Sequence, residues 1–232
     1  MKKNLTKLFA LLLVLAMITV MFAGCKGNDE PTDPSNSDAS TEPSSEATEK
    51  HENKVIYGSD TELSGDLGNA WWTNNATDKL IRDLINDYDV IVFDQFGQMK
   101  VNETVSDGVQ TAENEDGTAT YTVKIKQGLT YNDGTPITAA DYVASMLVQF
   151  SPATLEAGAT VSSDTVVGGT EYQNGESKVL AGLRLLDEYT YSISITPDYA
   201  NYYYGLTYAS LAPLYLPLYS SAALTVKDDG EG

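Results

Sequence analysis

The sequence predicts a mixed α/β fold, and three observations carry that prediction. Tyr121, Val123 and Ile125 alternate with Thr120, Thr122, Lys124 and Lys126, the period-two pattern of a half-buried strand. Tyr189, Tyr191, Ile193 and Ile195 alternate in the same way with Thr190, Ser192 and Ser194. Helical spacing appears twice, over Ala76, Leu80, Ile81, Leu84, Ile85 and Tyr88, and over Tyr142, Val143, Met146, Leu147 and Phe150. Strands and helices interleave along one chain, so mixed sheets with flanking helices are expected.

The elements follow in order. Val55-Ile56-Tyr57 before Gly58-Ser59-Asp60 reads as a short strand entering a loop, Thr61 to Trp72, with Gly65, Gly68 and the pair Trp71-Trp72. The first helix, Ala76 to Tyr88, takes Asn75 or Thr77 as its N-cap. Val90 to Phe93 has the composition of a buried strand, and Val101 to Val105 reads as another. Asn114-Glu115-Asp116-Gly117 is a turn signal just ahead of the strand at Tyr121, so a hairpin is expected there. Asn132 to Pro136 is a second turn. Thr138 and Asp141 then stand at capping-box spacing, opening a helix that runs to Phe150 before Pro152. Residues 153 to 177, rich in Gly, Ser and Thr, read as an excursion loop. Val179 to Leu186 and Tyr189 to Ile195 read as strands around an Asp187-Glu188 turn, and Lys227 to Gly232 as a polar loop. Residues 189 to 219 hold nine of the fifteen tyrosines, and Tyr202-Tyr203-Tyr204 is expected to pack its rings while its hydroxyls reach water.

Composition excludes several chemistries. The 232 residues carry 33 Asp and Glu against 14 Lys and Arg, a formal charge of -19. Residues 1 to 24 hold Lys2, Lys3 and Lys7 and no acid, so without them 11 basic side chains face 33 acidic ones, a net of -22. Nucleic-acid binding draws most of its affinity from neutralising phosphates with basic groups, so that class is excluded. The single Cys25 and the single His51 both precede the first stretch able to build a core. Disulfides, zinc sites built on Cys or His, Ser-His-Asp triads and Cys-His dyads are therefore absent from the folded part, and no cofactor is expected.

Met1 to Lys7 is short and basic, and Leu8 to Gly24 is a run of 17 residues in which only Thr19 and the last glycine are not plainly apolar. That is the order of a secretory signal, and it falls short of the about 20 apolar residues a spanning helix uses. Phe22-Ala23-Gly24-Cys25 resembles the lipobox of bacterial lipoproteins, with Phe22 where Leu is usual. The resemblance implies that Cys25 is acylated and anchors the chain, each buried methylene of the lipid adding about 0.8 kcal/mol of membrane affinity. Residues 26 to 54 contain eight acids, five serines, three prolines and only Ala39 and Ala47 as apolar side chains. Such a segment cannot bury enough apolar surface to offset its ordering entropy, which predicts a disordered tether reaching about 30 Å, with His51 as a solvated residue.

The stretch from Asn114 to Val143 resembles the signature of the family 5 extracellular solute-binding proteins, the peptide and nickel type that serve ABC importers. Asp116-Gly117, Tyr121, Gly128, Asp133-Gly134, Pro136, Thr138-Ala139 and Asp141 stand at the matching places, and Lys126 replaces the common Arg. Leu80 to Phe96, with the turn Asp94 to Gly97, and Leu183 to Ile195 agree more weakly. The resemblance implies an incomplete periplasmic-binding-protein-like class II two-lobed fold. It divides the chain into a lipoprotein signal (1–24), a tether (25–54), the first strand and loop of lobe I (55–69), a family-specific α/β subdomain (70–177) and a return to lobe I (178–232). Family members are roughly twice as long, so the chain is expected to be truncated. Asp133 to Asp141 carries the family signature, yet its expected duty is a tight turn and a helix start.

In such binders the ligand lies between lobes, held by backbone groups and aromatic side chains. The resemblance places Glu62, Leu63, Ser64, Gly65, Trp71 and Trp72 at that cleft. Both tryptophans packing the lobe is the alternative, and on an extended segment adjacent side chains point to opposite sides. Glu62 or Asp66 suits a ligand's ammonium, although any one of 33 acids also suits a solvated surface. The expected function is a lipid-anchored extracytoplasmic binder that captures an oligopeptide-like solute for ABC permease and ATPase subunits, without catalysis. Two other readings stay open at this level. One is a secreted hydrolase using two carboxylates. The other is a truncated remnant that cannot close a cleft, binds weakly and exposes apolar surface.

Overall fold

Alternation along two strands builds the central layer. In β4 (Ala119–Ile125) the residues Ala119, Tyr121, Val123 and Ile125 are buried while Lys124 is exposed. In β6 (Thr190–Ile195) Tyr191, Ile193 and Ile195 are buried. The two strands pair antiparallel, Val123 opposite Tyr191 and Tyr121 opposite Ile193, so their apolar faces coincide. The computed structural model describes residues 55–68, 70–86 and 88–232. The signal segment, Cys25 and His51 lie outside the described residues.

Two further strands complete an open antiparallel sheet. β3 (Ser106–Glu113) and β5 (Leu183–Asp187) flank the pair in the order β3-β4-β6-β5. The expected hairpin joins β3 to β4: Gly117, at φ +85, closes it with its N–H on the Asn114 carbonyl at 3.0 Å. A bulge sits between Ser106 and Gly108. The Ser106 hydroxyl holds it, donating to the Lys124 carbonyl at 2.8 Å and accepting from the Gly108 N–H at 3.1 Å. A separate hairpin of β1 (Ile91–Phe93) and β2 (Met99–Val101) turns through Asp94 to Gln98. Asp94 accepts from the N–H groups of Phe96 and Gln98 there.

Helix α2 (Ala139–Gln149) packs across β5 and β6, so that Tyr142, Val143 and Met146 share one core with Val123, Ile125, Tyr191 and Ile193. Its start forms the return half of a capping box. The Asp141 carboxylate accepts from the Thr138 N–H at 2.8 Å, and the Thr138 hydroxyl donates to the same oxygen at 3.0 Å.

Several expectations are corrected. Val55-Ile56-Tyr57 forms no strand; it is exposed and pairs with nothing among the described residues, and a strand exists only through its ladder. The expected strand at 101–105 is displaced to β2 and β3, with Asn102 turning the chain between them through its side chain on the Thr104 N–H and hydroxyl. Pro152 does not close the helical region. It occupies the first turn of α3 (Pro152–Glu156), capped by the Ser151 hydroxyl accepting from the Thr154 N–H at 3.2 Å. The expected excursion loop also contains α4 (Gly169–Gln173). Beyond β6 the chain forms α5 (Pro197–Ala200) and short 3₁₀ turns at Gly205–Ala209 and Leu216–Leu218.

The polar segment at 227–232 is pinned to β5. Arg184 donates twice to Asp228, at 2.8 and 2.7 Å, and the Leu185 N–H donates to Asp228 at 3.0 Å. The Arg184 guanidinium holds the Asp228 carboxyl down to about 2, below its ordinary 3.8, against the opposing effect of burial. A depressed carboxyl stabilises the fold above its unfolded pKa, so this contribution is complete above pH ~4 and lost as pH falls towards ~2. Acid titration of unfolding for the wild type and Asp228→Asn is expected to show the difference between them shrinking through that window and nowhere above it.

Candidate functional site

The loop that the sequence places at a cleft is fastened to the first helix. Helix α1 (Ala76–Ile85) begins at Asn75, whose side chain accepts from the N–H groups of Thr77 and Asp78 at 2.9 and 3.1 Å. Asn75 also donates to the Glu62 carbonyl at 2.8 Å, and Thr77 donates to the Thr61 carbonyl at 2.9 Å. Asp78 is fully buried under the loop. Its carboxylate accepts from the N–H groups of Ser64 at 3.0 Å, Gly65 at 3.4 Å and Asp66 at 3.2 Å, and from the Ser64 hydroxyl. The Ser64 hydroxyl, with those N–H groups, holds the Asp78 carboxyl below its ordinary value although burial acts the other way. Arg82 donates to the Asp66 carbonyl at 2.5 Å.

This fastening inverts the helix. The apolar positions of α1 stand at helical spacing, yet Leu84 and Ile85 are 83% and 60% exposed, while Asp78 and Arg82 are buried. Loop N–H groups and carbonyls need partners, and the polar side chains of α1 supply them. Replacing Asp78 with Ala removes the acceptor of three N–H groups. Cleavage within residues 62–66 by a nonspecific protease is expected to quicken on the order of tenfold, with Asp78→Asn intermediate. Unchanged cleavage would show that the loop is held by other contacts.

Glu62, Leu63, Ser64 and Gly65 are all exposed, and Gly65 adopts φ +91, a conformation glycine takes without strain. Trp71 and Trp72 do not point to opposite sides. The segment is a turn rather than extended, and the rings lie 5.6 Å apart. Trp71 is buried in a small second core with Ala159 and Leu214, and Trp72 is partly exposed, its indole N–H donating to the Ala157 carbonyl at 3.2 Å. Trp71 therefore packs the fold, leaving Trp72 as the accessible ring of the pair. The Tyr202-Tyr203-Tyr204 rings are exposed rather than packed inward.

Past Gly65 the loop continues into the wall of a groove of about 680 Å³. Leu67 and Gly68 form one side, Ile85 the end of α1, Tyr88 the segment after it, Thr130 to Asn132 the signature turn, and Ala212 to Tyr215 with Leu218 and Tyr219 the far side. Tyr215 is fixed there by its hydroxyl, which donates to Asp133 at 2.8 Å, and its ring meets Tyr131 edge-on at 4.8 Å. The Tyr131 hydroxyl is buried next to the Asp141 carboxylate without well-formed hydrogen-bond geometry, and burial, with that charge, pushes its phenol above the ordinary value. Asp133, expected only to shape a turn, thus also orients a groove tyrosine. Sequence reading missed Asp78, Tyr131 and Tyr215. The one signal for Asp78 was its place three residues after an N-cap, where an acid reaches back over the helix start. Among the described residues no group of three or more His, Cys, Asp or Glu side chains is placed to hold a metal ion.

Residues 103–230 match the family described as bacterial extracellular solute-binding proteins, family 5 Middle. The chain belongs to this family. The family 5 chain superposes on OppA of Burkholderia pseudomallei with a TM-score of 0.51 at 19% identity, over 65% of this chain and 29% of that one. That likeness establishes the fold as part of the class II periplasmic-binding-protein-like architecture. Listeria monocytogenes OppA bound to peptide gives 0.45 at 23% identity, over 58% of this chain and 26% of that one. Lactococcal OppA complexed with an endogenous peptide gives 0.44 at 23%, over 55% and 23%. The family 5 chain thus spans less than a third of each of these structures. No curated protein matches its sequence.

Proposed function

We propose that the chain captures an oligopeptide-like solute outside the cell and passes it to the permease and ATPase subunits of an ABC importer. The observation that carries this reading is the family match over residues 103–230. The groove supports it: aromatic rings supply contact area at small entropic cost, and neighbouring backbone and amide groups suit a peptide's own. Glu62, Leu63, Ser64, Gly65 and the exposed ring of Trp72 are proposed to contact the solute, and Trp71 to support Trp72. In this reading residues 1–24 are an export signal, acylated Cys25 anchors the chain in the membrane and residues 25–54 form the tether. Residues 55–69, 70–177 and 178–232 are the first-lobe entry, the signature subdomain and the return, the last sharing its sheet with β4.

Isothermal titration calorimetry with a mixed tri- to pentapeptide library tests the reading. Saturable binding is expected, with peptides recovered intact, and a bound peptide at a hundred times Kd raises stability by about 2.7 kcal/mol. Absence of binding, or recovery of cleaved peptides, would overturn it. For the anchor, Cys25→Ser is expected to move the protein from the membrane to the soluble fraction, and unchanged partition would refute acylation at Cys25.

A further inference from the structure

The groove between the end of α1 and the signature turn has a chemistry narrower than peptide binding requires. Its volume of about 680 Å³ lies within the range of roughly 300–1,000 Å³ usual for small-ligand sites. Its walls carry Leu67, Ile85, Tyr88, Tyr131, Tyr215 and Tyr219, and among the described residues that line it there is no Asp, Glu, Lys, Arg or His. The cations of α1 nearest in sequence are engaged elsewhere, Lys79 with Asp83 at 2.6 Å and Arg82 with the Asp66 carbonyl at 2.5 Å. Beside the lining residue Asn132, Asp133 presents a carboxylate whose bond to Tyr215 keeps that ring on the wall. The whole chain adds a field of -19 formal charges.

Resting on the peptide reading above, we infer that this groove seats an uncharged apolar or aromatic side chain of the solute and rejects acidic ones. An acidic side chain entering it loses its water and meets no cation among the described lining residues in return, which costs more than the buried area gives back. A phenyl or branched aliphatic group meets tyrosine faces and edges held in place by Asp133 and by the Tyr131–Tyr215 contact. A basic side chain falls between, since the Asp133 carboxylate is bonded to the wall tyrosine Tyr215 and no acid is among the described lining residues.

Calorimetry with tetra-alanine carrying one Phe, Lys or Asp at each position in turn tests this. At one position the Phe peptide is expected to bind about tenfold tighter than the Asp peptide, the scale set by burying one apolar side chain. Ile85→Lys puts a cation on the wall at a helix C-terminus that tolerates it, and is expected to narrow that preference at least about fivefold by admitting Asp. Leu84→Lys, on the next residue and outside the groove lining, is expected to leave it unchanged. Equal binding of Phe and Asp peptides at every position would overturn the inference while the peptide reading stands. A preference that survives Ile85→Lys would move the selective site away from this groove. No binding by any of the peptides would overturn both.

Discussion

Gly169→Ala is expected to destabilise the fold by about 3 kcal/mol, the upper part of the range for forced overpacking. A Cβ at this position would overlap the Ser163 carbonyl oxygen and crowd the Ser163 side chain. Neither partner is the flexible end of a side chain. Ser163 is buried with its hydroxyl donating to Gln173, and the Gly169 N–H donates to the Val166 carbonyl at 2.9 Å, so backbone must shift on both sides. Urea unfolding should show a lower midpoint with unchanged slope. A change below about 1 kcal/mol would mean that the 163–169 turn relaxes freely and does not pack as described.

Tyr191→Ala is expected to cost about 3–5 kcal/mol, as large-to-small changes of buried aromatic residues do. Tyr191 is fully buried at the centre of β6, its ring stacked on Tyr142 with centroids 5.9 Å apart. Its hydroxyl donates to the Ala209 carbonyl at 2.9 Å, tying the 3₁₀ turn at Gly205–Ala209 to the sheet. Tyr191→Phe keeps the stack and leaves the Ala209 carbonyl with the Leu211 N–H at 3.1 Å as its remaining donor, so about 1 kcal/mol is expected. The two variants, read by the same urea titration, separate ring packing from the hydroxyl. Equal effects would place the whole cost in the hydrogen bond.

What was legible in the sequence was whatever a residue's own period decides. β4, β6 and α2 each bury one face against the same core, so alternation and helical spacing named them, and the turns between were marked by Gly, Asn and Asp. The turn signal implied a partner for β4, but the span of β3 was not legible because most of its side chains are exposed; it is a strand through its pairing with β4, which no period within Ser106–Glu113 records. Helix α1 shows the opposite failure. Its existence followed from spacing, but its orientation was decided by Asp78 and Arg82 meeting the backbone groups of residues 64–66, a demand set by a loop rather than by the helix. At the site, the Glu62–Gly65 loop came from family resemblance, whereas the tyrosine groove depends on residues 67, 85, 131 and 215 meeting in space.

Hydrogen exchange of the 232-residue protein, followed by mass spectrometry with and without a saturating peptide mixture, tests the central claim most directly. Capture of a peptide-like solute predicts reversible protection confined to residues 62–72, 130–132 and 212–219, lost on dilution, with the peptides intact. Exchange unaltered in those segments at saturating peptide, or peptides returned cleaved, would contradict it.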